Sequence, residues 1–451
     1  SLHAVGVSLI AMALLDVWRK LHCPVERDGT QGARPGDDKP DRPIVAGIGL
    51  PPALQRQSPD FVLDLERKFD FATWVSERVW RYPLDRVPFT PMIACEPEAS
   101  VLMSRFDWQF VPVSGRIPKS DSPPYFYDCG KLDELPLRAD CCQGADPQTV
   151  WAAPHLVNDL LERAAAQFDA RRADRVVVFT GTEMPLSVAF GKTDAERRAT
   201  VARLRRYFGT ILYQTKDVEL EHVRLAPMGI CWLYTMKLIG AWLATRSRQR
   251  LARRFASFDA ALSVGLAAKT RGVLASWGEM ASFLDKNETL LQTVASMYKG
   301  DLVSGACNSS LMAIASAWDS RYQLRTWSAT PAAKAVPVEV RPIPQLEWWA
   351  ELGKYKFILS PMGSGIQTSK TFEALMVLTV PVIQRMNYTL HDELVDMGFP
   401  IALVDRWEEV SRERVAEWWE RLSPRLESFR RNCLTVEGYW RIYTGHFGYC
   451  A

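Results

Sequence analysis

Residues 356–383 read KFILSPMGSGIQTSKTFEALMVLTVPVI, and the order of the parts in this stretch decides the fold. An apolar run, Phe357-Ile358-Leu359, stops at Ser360-Pro361 and gives way to a glycine-bearing loop, Gly363-Ser364-Gly365. Phe372, Leu375, Met376 and Thr379 then fall at i, i+3, i+4 and i+7, the spacing of one helix face. Thr368 or Ser369 is placed to cap that helix by accepting from amides that otherwise lack partners. A second apolar run, Val380-Pro381-Val382-Ile383, closes the unit. Strand, glycine loop, helix and strand form one βαβ unit, and its two strands are expected to run parallel.

Such a unit has a chemical meaning. Glycines let main chain approach a ligand closely, and the helix N-terminus turns N–H groups toward it, so an anion, most often a phosphate, is favoured there. Lys370 lies in the first turn and adds a full positive charge. Glu373, three residues on, shares its face, and its carboxylate could accept from the vicinal hydroxyls of a ribose or another sugar. The plainer alternative is that Glu373 only complements the helix dipole and Lys370 is a solvated charge. Spacing does not choose between them, because a glycine loop before a helix is a weak signal.

Outward from this stretch the pattern repeats. A helix over His155–Arg172 leads into Val176-Val177-Val178-Phe179, and a helix over Asp194–Tyr207 leads into Ile211-Leu212-Tyr213-Gln214. This alternation is the mark of a parallel sheet covered by helices, an α/β protein. The last helix starts at a Ser411 cap and runs through Val415, Trp418, Trp419 and Leu422. Phe61–Trp80 reads as an amphipathic helix, residues 25–58 as linker or surface loop, and Tyr82–Pro154 as short strands broken by prolines. Ile230–Leu243 is apolar but carries Lys237, which suits a buried helix. Arg246, Arg248, Arg250, Arg253 and Arg254 form a basic run that reads as a solvated helix face.

Composition narrows the function. At 451 residues the chain has room for two to three domains, and 47% hydrophobic with 24% charged residues is globular. A formal charge of +3 is too small to argue for nucleic acid. The six histidines show no metal-ligand spacing, and the adjacent pair Cys141-Cys142 is not a zinc pattern. No Asp-x-Asp, Gly-x-Ser-x-Gly or Walker loop occurs, so no divalent-metal clamp on a sugar diphosphate is expected. Ala4–Leu15 is an uncharged apolar run, shorter than the ~20 residues that span a bilayer, and is either the remnant of a signal anchor or an amphipathic core helix.

The quoted stretch resembles the signature of the exostosin-like glycosyltransferases, in which Ser-Pro-x-Gly, a short loop, a basic residue, Glu-Ala and a Pro-Val-Ile strand recur in this order. The likeness continues through Asp392-Glu393-Leu394, Phe399–Val404 and Asp405–Val410, covering roughly the last third of the chain well and the middle loosely. Leu225–Ile230, Gly272–Gly278 and, faintly, Pro124–Asp128 resemble further landmarks of that family. Two positions depart from it. Lys370 stands where the family has Arg, losing a bidentate fork, and Leu378 stands where a glycine precedes the strand.

The resemblance implies a GT-B type α/β protein, with two Rossmann-like domains facing across a cleft. It implies an N-terminal segment and linker over 1–60, an acceptor-side domain over 61–245, a nucleotide-sugar domain over 260–430 and a tail over 431–451. It further implies an inverting, metal-independent transfer from a UDP- or GDP-sugar to a glycan or glycoprotein acceptor. The alternative is a catalytically inactive relative that binds sugar or nucleotide. Ser360, Gly363, Ser364, Gly365, Thr368, Ser369, Lys370 and Glu373 would hold the donor, and Glu183 or His391 would be the general base. With the sequons at Asn287, Asn308 and Asn387, the resemblance favours the Golgi or secretory lumen, the N-terminus serving as a membrane anchor. Cys129, Cys141 and Cys142 are then candidates for pairing, whereas a glycan on Asn387 would obstruct an active cleft.

Overall fold

The computed structural model describes residues 87–90, 102–110, 146–172, 174–181, 184–231, 235, 238–239, 248–276, 308–363, 365–446 and 450. Several expectations lie outside them: the run at Ala4–Leu15, the helix over Phe61–Trp80, Pro124–Asp128, most of Ile230–Leu243, Asn287, Glu183, Ser364 and the three cysteines singled out above.

Among the described residues the chain is an α/β protein built on two five-stranded parallel sheets. A short parallel pair, β1 (Phe89–Thr90) with Ile230–Cys231, stands apart from both. The first sheet holds β2 (Trp108–Phe110), β3 (Thr149–Ala152), β4 (Val176–Phe179), β5 (Thr210–Tyr213) and β6 (Val223–Leu225), side by side in chain order. Ile230–Cys231 is β7. The strand Val176–Phe179 is buried at every position because both faces of the sheet are covered. Val177 and Phe179 pack with α1 (Val157–Gln167), α2 (Leu186–Ala189) and α3 (Asp194–Arg205), through Leu160, Leu161, Leu186 and Leu204. Val176 and Val178 face a second core that contains Phe106, Met228 and Ile230. A reciprocal cap starts α3: the Glu196 amide donates to Thr193 Oγ1 at 3.2 Å, and the Thr193 amide donates to Glu196 Oε2 at 2.9 Å.

After the helix α4 (Arg248–Leu262), where Arg253 is exposed, the second sheet begins. It contains β8 (Arg271–Ala275), β9 (Val338–Val340), β10 (Tyr355–Ser360), β11 (Val380–Gln384) and β12 (Ala402–Val404). The crossovers carry α5 (Asn308–Ser328), α6 (Pro331–Ala335), α7 (Trp348–Leu352), α8 (Ser369–Met376) and α9 (Leu390–Asp396). The βαβ unit expected from the quoted stretch is β10–α8–β11, with Phe357 opposite Val380 and Ser360 opposite Ile383 in parallel register. Across the sheet the order is β12-β11-β10-β8-β9, so the winding reverses between β8 and β10. In open α/β sheets such a reversal is the place where ligands sit, beyond the strand C-termini.

Two local expectations are corrected. Thr379 lies beyond α8 rather than on its face, and its buried hydroxyl lies 2.9 Å from both the Leu352 and the Tyr355 carbonyl, either of which can take its proton. α8 ends instead in a Schellman turn, in which the Thr379 amide reaches Ala374 O at 2.8 Å and the Leu378 amide reaches Leu375 O at 3.1 Å. The helix that starts at the Ser411 cap is also not the last one described. α10 runs Arg412–Asn432, with the Arg414 amide on the Ser411 hydroxyl at 3.2 Å, and α11 (Val436–Tyr443) follows. Cys433 and Cys450 form a disulfide around α11. No helix among the described residues is long and apolar enough to cross a membrane.

Candidate functional site

The switch point between β8 and β10 brings together residues that are distant in sequence. Lys370 Nζ donates to the carbonyl of Ser276, just beyond the end of β8, at 3.0 Å. Ser360, the last residue of β10, lies with its Oγ 3.2 Å from Thr371 Oγ1, which ties the strand end to the first turn of α8. Between them a Cβ on Gly363 would stand 3.3 Å from Thr368 Oγ1, so the glycine lets the loop lie against the start of the helix. Thr368 occupies the N-cap position, but its side chain makes no capping hydrogen bond, which corrects the expectation of a side-chain cap. Ser369 is instead the first residue of α8.

Glu373 is the unusual member. It is 3% exposed, its Oε2 accepts from Trp348 Nε1 at 2.8 Å, and its Oε1 has no hydrogen-bond partner. Burial pushes its pKa up to about 7, against the opposing pull of Trp348 and Lys370. Lys370 is driven down to about 8 by burial and by the positive charge of Arg321, with Glu373 pulling the other way. Arg321, on α5, donates from Nε to the Met362 carbonyl at 3.0 Å. Two cations and one carboxyl therefore gather around the loop after β10. No local motif marks Arg321 in the sequence; only the packing of α5 over the strand ends brings it here.

His391 lies on α9, 2% exposed, with Nδ1 unpartnered. Burial lowers its pKa to about 4, although main-chain groups of Ile366 and Arg385 favour the charged form. It is a neutral imidazole at physiological pH, and a group with so low a pKa is a weak proton acceptor. Gly365 is buried in the loop. At the rim, Met386 and Asn387 both have positive φ, 50° and 64°, in a turn closed by the Tyr388 amide on Arg385 O, and Asn387 is exposed.

The first sheet meets this site with its own C-terminal ends. Gln367, 7% exposed, donates from Nε2 to Gln214 O, just after β5, and to Ala226 O, just after β6, at 2.5 and 3.0 Å. Its Oε1 accepts from the Met228 amide at 2.7 Å. Lys216 Nζ bonds Glu393 on α9 and Glu219 beside it, while Glu393 Oε2 accepts from the Leu225 amide at 3.1 Å. Asp217 also stands here; its carboxylate takes both the Ser187 amide, at 3.0 Å, and the Ser187 hydroxyl, which commits it to the start of α2. The strand ends of both sheets thus converge on one region. No family model and no curated protein matches this chain.

Proposed function

We propose that the chain is a GT-B type glycosyltransferase that moves a sugar from a nucleotide-sugar donor, a UDP- or GDP-sugar, to a glycan or glycoprotein acceptor. The observation that carries this reading is the cluster of groups at the reversal of the second sheet. There a helix N-terminus, Lys370 and Arg321 favour an anion, while the buried Glu373 keeps one carboxylate oxygen without a partner. A nucleoside diphosphate supplies both halves of the complement: phosphate oxygens for the cations and vicinal ribose hydroxyls for Glu373.

In this reading the diphosphate rests on the Gly363–Gly365 loop and the start of α8, beside Ser360, Thr368 and Ser369. Lys370 offsets the negative charge that grows on the leaving group as the glycosidic bond breaks. Inversion requires a base on the acceptor side to take the hydroxyl proton. Glu183, four residues beyond the end of β4 in the sequence, is the candidate, since the lowered pKa of His391 makes it a weak base and Asp217 is occupied by Ser187. The Cys433–Cys450 disulfide supports an oxidising compartment, in line with the secretory lumen.

A thermal-shift screen against UDP, GDP, CMP and their sugars, without added metal, tests the donor site. A ligand of the folded state at a hundredfold excess over Kd stabilises by about 2.7 kcal/mol. One nucleotide family is expected to shift the melting temperature, the shift being lost in Glu373→Ala and reduced in Lys370→Ala. No shift with any nucleotide would leave the transferase reading without support. Slow donor hydrolysis in the absence of acceptor then separates an enzyme from an inactive binder.

A further inference from the structure

Gln367 immediately precedes the N-cap of α8, yet its side chain is spent wholly on the other half of the molecule. Both acceptors it donates to, Gln214 O and Ala226 O, and the one donor it accepts from, the Met228 amide, are main-chain groups of the first unit. Only a primary amide satisfies this set. Glutamate has no proton to donate, and would set a charge against two buried carbonyls. Asparagine is shorter by a methylene.

The main chain that Gln367 grips is itself fixed from a second direction. The Tyr439 hydroxyl donates to Met228 O and the Tyr443 hydroxyl to Pro227 O, each at 2.8 Å, and both tyrosines are fully buried on α11. α11 is flanked by the Cys433–Cys450 disulfide, and the Cys450 amide bonds Met397 O at 2.8 Å. Segment 226–228 is therefore a firm platform and not a loose loop. On the other side of Gln367 the chain turns directly into α8, with Thr368 against Gly363 and Lys370 three residues on. Any displacement of the first unit draws on Gln367 and, through it, on the first turn that carries Lys370.

We propose that Gln367 is a positioning residue that couples the docking of the two units to the anion site at the start of α8, so that the site is fully formed only while the Gln214, Ala226 and Met228 contacts are made. The identity of the ligand as a nucleoside diphosphate rests on the reading under Proposed function. Coupling of this kind is reciprocal: the ligand must tighten the Gln367 contacts by the same factor by which those contacts tighten the ligand.

The test uses the full chain with UDP and GDP as probes, by calorimetric titration and by amide hydrogen exchange. In Gln367→Met, which keeps the bulk and removes the hydrogen bonds, the nucleotide that binds the wild type is expected to bind about tenfold more weakly, within the range usual for coupled sites. In the wild type the same nucleotide is expected to slow exchange of the Met228 amide, a response that a purely structural glutamine would not give. Unchanged affinity in a folded Gln367→Met overturns the coupling and leaves the donor site intact. Unchanged exchange at Met228 on nucleotide binding overturns it too, and this measurement decides the matter if the variant does not fold. A wild type that binds neither nucleotide removes the donor reading itself, and the coupling with it.

Discussion

Glu373 combines near-complete burial with an unpartnered carboxylate oxygen, and the pH dependence of stability should reveal it. Its folded pKa, about 7, lies above the ordinary value of 4.5, so between those values the folded chain holds a proton that the unfolded chain has lost. Stability from this group is therefore full below pH 4.5 and is lost as the pH rises through 7. Glu373→Gln removes the titration while keeping an acceptor for Trp348 Nε1. The variant is expected to match the wild type near pH 5 and to exceed it at pH 8 by about 3 kcal/mol at most, measured by urea unfolding at the two pH values. A constant difference across this range would mean that Glu373 titrates normally.

Leu378 makes a second case at the same scale, because two effects oppose each other there. Its φ of 60° is left-handed, a conformation that costs a non-glycine residue roughly 1–2 kcal/mol. It occupies the C′ position of the α8 Schellman turn, where glycine is the usual occupant. Yet the side chain is fully buried, and losing a buried leucine costs roughly 2–5 kcal/mol. Packing wins: Leu378→Gly is expected to destabilise by about 1–3 kcal/mol despite the relief of strain, read from chemical denaturation. A stabilised Leu378→Gly would show that the surrounding core closes over the gap.

Elements differ in how far local sequence announces them. β4, β5, α3 and β10–α8–β11 were legible because their apolar periodicity is the same thing as their burial, and Ser411 announced α10 by its capping chemistry. The candidate site was legible only where its residues share a segment. Lys370 and Glu373 lie within one turn, whereas Arg321, Gln214 and Met228 join them through tertiary contacts that no spacing encodes. α11 leaves little trace in the sequence because Gly438 depresses the helical signal of an eight-residue helix. That glycine is required by crowding, since a Cβ there would lie 2.4 Å from Asn432 O. The pairing of Cys433 with Cys450 is likewise invisible to spacing. Closing a loop of about this length is worth roughly 3 kcal/mol in the chain-entropy view. The Cys433→Ser, Cys450→Ser double variant is expected to lose about that much, with faster amide exchange concentrated in α11. Exchange that rises evenly over the whole chain would show that the bond stabilises the molecule globally and is not a local anchor of this helix.

At the scale of the molecule, the two sheets are joined by packing as well as by hydrogen bonds. Trp151, Val178 and Leu212 of the first sheet belong to the same buried cluster as Leu274, Ile358 and Val382 of the second. Units that share a core lose apolar burial together, so one cooperative transition is expected in calorimetry, with equal calorimetric and van't Hoff enthalpies. The polar seam adds stability to that shared core. Lys216, whose side chain is 4% exposed, bonds Glu393 across the units and Glu219 within its own, and Glu219 also takes the Thr389 hydroxyl. Glu393→Ala leaves a buried ammonium with one carboxylate and leaves the Leu225 amide without its acceptor. Glu393→Gln keeps an acceptor for that amide and removes only the charge. Because an unmet buried donor costs roughly 1–3 kcal/mol, the alanine variant should lose more stability than the glutamine variant by about that amount. Because the shared apolar core is untouched, the single transition is expected to persist in both variants. Equal losses in the two variants would assign the seam to charge alone, and a transition that splits in the alanine variant would place the cooperativity in the polar seam instead of the shared apolar core.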